Sequence, residues 1–156
     1  MQPTLEYMIL IPVLILQIFL FPMFVNVVMT QYENDQRSLQ LQEVASYLGS
    51  SIEQIYLSLN HTSIQSSTLQ SNLASQSLID GYSYTGTATL QTEENSSPVL
   101  NVTLKLVGSD LSSSTLVTLG ANVEWVANSV FTSNVANSCI VAQKYPDQTI
   151  KLSFGT

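Results

Sequence analysis

The chain has 156 residues, enough for one compact domain plus an anchor, with a formal net charge of −7 and only four Lys and Arg. So few cations exclude a nucleic-acid binder, which needs cationic contacts to phosphate, and a polybasic membrane-surface patch. The single cysteine, Cys139, excludes an intrachain disulfide framework.

The first element is Tyr7 to Met29, YMILIPVLILQIFLFPMFVNVVM, with Gln17 and Asn26 as its interior polar residues. As a helix, about 23 residues cross a hydrocarbon core near 30 Å thick. It does not read as a secretory signal, because Met1 to Glu6 carries no Lys or Arg and Phe24 to Val28 offers no small-residue cleavage pattern. Pro12 and Pro22 interrupt it. Each removes a helix hydrogen bond and is expected to kink the helix, which apolar helices tolerate when neighbouring helices shield the freed carbonyls.

Gln31 to Leu59 continues as an amphipathic helix. Leu41, Val44, Ala45, Leu48, Ile52, Ile55, Tyr56 and Leu59 recur at spacings of three and four, the mark of one apolar stripe. Gly49 weakens it locally, by about 1 kcal/mol relative to Ala. One helix from about Thr4 to about Leu59 is expected. Its stripe can dock on the chain's own C-terminal domain, on other helices, or on both.

His61 to Asp80 is rich in Ser and Gln and reads as a connector with one helical turn or a loose strand. From Gly81 the period becomes two. Tyr82 to Leu90 alternates aromatic or apolar residues with hydroxyls, and Leu100, Val102, Leu104 and Leu106 alternate with Asn101, Thr103, Lys105 and Val107. The segment Glu93 to Pro98 between them reads as a turn joining antiparallel strands. Thr115–Leu119, Val123–Phe131, Cys139–Lys144 and Thr149–Phe154 are further strands, punctuated at Gly108-Ser109-Asp110, Gly120-Ala121-Asn122 and Pro146-Asp147-Gln148. The fold class is therefore α+β: a long N-terminal hydrophobic and amphipathic helix (1–60), a connector (61–80) and a C-terminal antiparallel β-sandwich (81–156).

No catalytic constellation stands out, and an enzyme is not expected. His61 is the only histidine and lies in a polar stretch without a nucleophile signature. There is no Cys/His metal spacing, glycine-rich phosphate loop or EF-hand pattern, so no cofactor or metal is implied. Glu93-Glu94 reads as a solvated turn. Cys139, within Cys139-Ile140-Val141-Ala142, reads as a small buried hydrophobe, with an interchain disulfide or a reactive thiol as the alternatives. Three Asn-x-Ser/Thr sequons begin at Asn60, Asn95 and Asn101. They fall at a helix end, in a turn and on the polar face of a strand, so all three are expected to face solvent as N-glycan acceptors.

The N-terminal third resembles type IV pilins. A short polar lead, Glu6, the proline-interrupted apolar run with Pro22, and a continuous amphipathic helix carry the likeness. Glu6 stands one place later than in most bacterial members. An all-β C-terminal region without a disulfide looks more like the archaeal branch, adhesive pilins and archaellins. Glu43 to Leu48 and Ile52 to Asn60 are similar to archaeal pilin helix ends. The resemblance covers about residues 1 to 60, and the remainder by architecture.

The resemblance implies a homopolymeric extracellular filament for surface adhesion or cell contact, with bundled helices as its core and glycosylated β-domains as its coat. It implies membrane residence before assembly, a pilus assembly machinery and a prepilin peptidase, with Met1 either the mature first residue after leader cleavage or the translation start. Glu6, Pro12, Pro22, Leu41, Leu48, Ile52 and Ile55 are then the expected assembly residues. The alternative is a monomeric membrane-anchored β-sandwich, such as an accessory or stator-like component of an archaeal surface motor. A membrane-tethered hydrolase using carboxylates ranks below both.

Overall fold

Helix α1 covers Pro3–Leu59 and continues through Pro12 and Pro22. The computed structural model describes residues 3–72, 77–92 and 96–155, with side chains from Met8 onward. Eight strands follow: β1 (Ser67–Asn72), β2 (Tyr84–Gln91), β3 (Val99–Leu106), β4 (Ser112–Thr118), β5 (Val123–Trp125), β6 (Val130–Thr132), β7 (Cys139–Lys144) and β8 (Ile150–Gly155). The chain divides into two compact units, Met1–Gln36 and Arg37–Thr156.

The described residues of the first unit are helix alone. Its described large apolar side chains from Met8 to Met29 are 48–77% exposed, Val25 alone being half-buried. Helix α1 is long and apolar enough, from Met8 onward, to cross a membrane. A surface of this kind is compatible with membrane anchoring.

The second unit is a β-sandwich with the C-terminal half of α1 built into its core. Its sheets run β1-β7-β8-β5 and β4-β3-β2-β6. All pairs are antiparallel except β5 with β8, which is parallel. The alternation in β3 does what period two requires: Leu100, Val102, Leu104 and Leu106 are buried, while Asn101, Thr103 and Lys105 lie on the other face. Aromatic edge contacts stitch the sheets together. Tyr84 of β2 meets Phe131 of β6 at 6.1 Å, Phe131 meets Phe154 of β8 at 4.8 Å, and Phe154 meets Trp125 of β5 at 4.9 Å between ring centroids.

The helical stripe joins this core. Leu41, Val44, Ala45, Leu48, Ile52, Ile55, Tyr56 and Leu59 are all buried with the strand residues in one cluster. Fully burying a Leu or Ile contributes about 1.5–3 kcal/mol, so this stripe is a principal source of the unit's stability. Gly49 is small because β4 lies against it: a Cβ there would stand 2.9 Å from the Thr115 methyl and 3.2 Å from Val117 Cγ2.

The turns fall at the punctuation marks of the sequence. Asp80 and Gly81 both take positive φ (49° and 82°), and Ile79 and Tyr82 exchange two backbone hydrogen bonds of 2.9 Å around them. That is the primed turn that Asp-Gly favours. Pro146-Asp147-Gln148 closes β7 onto β8, with Tyr145 N donating to Thr149 O.

One expectation is corrected and one is sharpened. Of the two forms expected for the connector, the strand is the one present: β1 pairs with β7 from Ser67–Lys144 to Asn72–Cys139, as a polar edge with Leu69 its sole large apolar residue. The expected strand Val123–Phe131 is instead two, β5 and β6, in different sheets. Between them Asn128 takes a left-handed φ of 64°, which ends β pairing and lets the chain cross from one layer to the other.

Candidate assembly and modification sites

The first candidate site is the exposed apolar helix. Pro12 and Pro22 are both exposed on it. Glu6 falls within α1, and its side chain lies outside the described residues. A shallow open groove lined by Leu14, Gln17, Ile18, Leu20, Phe21 and Phe24 sets the Gln17 amide among apolar side chains. An amide in hydrocarbon surroundings is stabilised by a partner on a neighbouring helix.

The structure separates the remaining expected assembly residues from this surface. Leu41, Leu48, Ile52 and Ile55 are 0–9% exposed inside the second unit. They are core residues of the second unit, because the β-domain covers the stripe they form, and are not free to meet other helices. On the exposed side of the same helical stretch, Leu39, Tyr47 and Leu57 are apolar side chains in solvent.

The sequons differ from one another. Asn60 is exposed, immediately after α1. Its backbone N–H donates to Tyr56 O at 2.8 Å, and its Oδ1 accepts from Asn122 Nδ2 at 3.1 Å. Asn122 is a hub that sequence periodicity did not single out. Its Nδ2 also donates to Gln148 O, and its Oδ1 accepts from the Tyr56 hydroxyl. Asn101, expected on a wet face, is half-buried, and its Oδ1 is buried without a hydrogen-bond partner. The reason is that β3 is an inner strand, with Thr89 of β2 and Leu116 of β4 flanking it. Asn95 lies outside the described residues.

His61 is exposed, with Nδ1 2.8 Å from Ser63 Oγ. Cys139 is a buried free thiol whose sulfur accepts from Gln70 Nε2 at 2.9 Å. Lys144 was not visible as a core residue in the sequence. It is only 2% exposed, and its ammonium donates to His61 O at 3.0 Å. Among the described residues no cluster of His, Cys, Asp and Glu could hold a metal ion.

Comparison with protein families, curated proteins and solved structures returns no match.

Proposed function

We propose that this chain is a structural subunit of an extracellular, type IV pilus-like filament used for surface adhesion or cell contact, and not an enzyme. The observation that carries the reading is the division of labour along α1. The stripe from Leu41 to Leu59 is consumed by the subunit's own core, whereas Met8 to Met29 is an exposed apolar helix. Such a helix is stable in lipid before assembly and exchanges lipid for neighbouring helices afterwards, through packing and interhelical hydrogen bonds. Glu6, Pro12 and Pro22 belong to that assembly segment, as the pilin resemblance implies. The β-domains form the coat, carrying N-linked glycans on exposed sequons. The partners are other copies of the chain, the membrane before assembly, and the assembly machinery and prepilin peptidase of the family.

Negative-stain microscopy of material sheared from cells, with an antibody against the β-domain, tests this. Labelled filaments are expected. Label confined to detergent-soluble monomers would overturn the proposal in favour of the monomeric membrane-anchored β-sandwich.

A further inference from the structure

We infer that Asn60 is the acceptor of an N-linked glycan on the folded subunit and that Asn101, despite its matching sequon, is not. This rests on the extracellular placement of the β-domain proposed above.

The Asn60 sequon occupies an anchored surface turn. Helix α1 ends at Leu59, and His61 to Ile64 closes a turn in which Ile64 N donates to His61 O at 3.1 Å. The buried Lys144 ammonium holds the same carbonyl. Asn60, His61 and Thr62 are all exposed. The carboxamide of Asn60 is engaged through Oδ1, by Asn122 Nδ2. That oxygen is left unchanged by N-glycosylation, which acts at Nδ2. The bond to Asn122 therefore survives modification, and the sugar leaves from the side of the amide that Asn122 does not use.

The transfer itself needs an activated donor, an oligosaccharide on a lipid phosphate, and a membrane-bound transferase. The Asn60 Nδ2–C1 bond forms as the C1–O bond to the phosphate breaks. The lipid phosphate departs with the electron pair, and one Nδ2 proton passes to a base of the transferase. For this the sequon has to enter the transferase in an extended loop, which Asn60-His61-Thr62 can do without breaking a β ladder.

Asn101 meets none of these conditions. β3 is paired along its length with β2 and along most of it with β4, so presenting Asn101 and Thr103 to an enzyme means opening the centre of a sheet. Its Oδ1 is already enclosed without a partner, and a polar group left so is costly. Turning the amide over would enclose the NH2 group instead.

Glycopeptide mass spectrometry on the full chain purified from its own cells tests the assignment. The peptide containing Asn60 is expected to carry a sugar mass at high occupancy and the Asn101 peptide to be bare. Thr62→Ala, which keeps the Asn60 side chain and its bond to Asn122, should remove the Asn60 increment completely. Thr103→Ala should leave the intact mass unchanged apart from the substitution. A bare Asn60 peptide, or Asn101 occupied as fully as Asn60, would overturn the inference. Filament counts from the same cells report separately on the filament reading, since a subunit can polymerise bare.

Discussion

The Lys144 ammonium lies 3.0 Å from the carbonyl oxygen of His61, two residues beyond the end of α1. The last turn of α1 contains no basic residue of its own. A cation brought from β7 thus stands where the carbonyl end of the helix dipole is negative. One bond ties the helix terminus to the inner face of the sheet β1-β7-β8-β5. Lys144→Ala removes a charge-assisted hydrogen bond and leaves a void at a buried site, so a loss of about 2–3 kcal/mol is expected. Lys144→Met keeps most of the volume and should cost less. Chemical denaturation of both variants measures the difference, and equal midpoints for wild type and Lys144→Ala would rule out a structural role for the bond.

The glycines give a sharper stability test. A Cβ at Gly86 of β2 would overlap the Phe131 ring, which lies close against that backbone and leads the aromatic chain to Phe154. Gly86→Ala is expected to destabilise by about 1–3 kcal/mol, the usual cost of overpacking. At Gly49 the opposing terms nearly cancel. Alanine gains about 1 kcal/mol of helix propensity but crowds the Thr115 methyl, so Gly49→Ala should be close to neutral and Gly49→Leu clearly destabilising. Melting curves that rank Gly49→Ala below Gly86→Ala in stability would contradict the described packing.

Acid should do little to the second unit. Among its described residues the buried polar or charged side chains are Ser138 and Lys144, and every described Asp and Glu is exposed. Acid denaturation works through carboxylates that the fold holds ionised, with stability lost as pH falls through their lowered pKa. The ion pair Arg37–Asp80, at 2.7 Å, has Asp80 half in solvent, and exposed pairs of this kind contribute about 0–1 kcal/mol. Tyr82 beneath the guanidinium, 4.9 Å from ring centroid to Cζ, keeps Arg37 in place whether or not Asp80 is ionised. The midpoint of unfolding at pH 3 is therefore expected within about 5 °C of that at pH 7. A much larger drop would show that carboxylates hold the fold.

These tests also mark what the sequence disclosed. The stripe from Leu41 to Leu59 and the alternation of Leu100 to Leu106 were legible because each repeats its element's period over several turns or pairs. β1 was legible only as the loose-strand alternative for the connector, since an edge strand such as Ser67–Asn72 buries so little that Ser and Gln serve as well as Val. Gly86 carried a usable signal, because glycine inside a strand marks a close approach, but the identity of Phe131 as the intruder depends on β6 crossing to that sheet. Lys144 and Asn122 were hidden for another reason. Their partners, His61 and Asn60, are 83 and 62 residues away, and no local pattern announces a contact of that range.

Gln17 offers a test of the apolar helix itself. Its amide lies in an exposed groove of Leu14, Ile18, Phe21 and Phe24, where the proposed function has lipid or another helix replace water. Interhelical hydrogen bonds in hydrocarbon average about 0.6 kcal/mol and reach about 1.7. In the proposed filament such a bond would recur once per subunit, so that even the lower figure would shorten filaments when removed. Gln17→Leu is expected to leave membrane insertion unchanged or improved and to reduce mean filament length. Filaments of unaltered length would mean that Gln17 has no partner in the assembly.

Glu6 supplies the complementary case, a charge at the edge of the run instead of an amide within it. A carboxylate close to hydrocarbon is costly unless it is paired or kept near water, and Glu6 precedes about 23 apolar residues without another charge until Glu33. Before assembly the helix end can stay at the aqueous interface, so Glu6 needs no partner. In a bundle that end is drawn among other helices, and the pairing implied by the pilin resemblance is with the α-amino group of a neighbouring subunit. Glu6→Leu removes the carboxylate and makes the segment more apolar, so insertion should be intact while polymer formation falls. Glu6→Gln retains the shape and one acceptor but not the charge, and should fall between the two. Membrane fractionation reads the first quantity and counts of sheared filaments read the second. Glu6→Leu cells with normal filament numbers would remove the electrostatic step from assembly and leave helix packing alone to drive it.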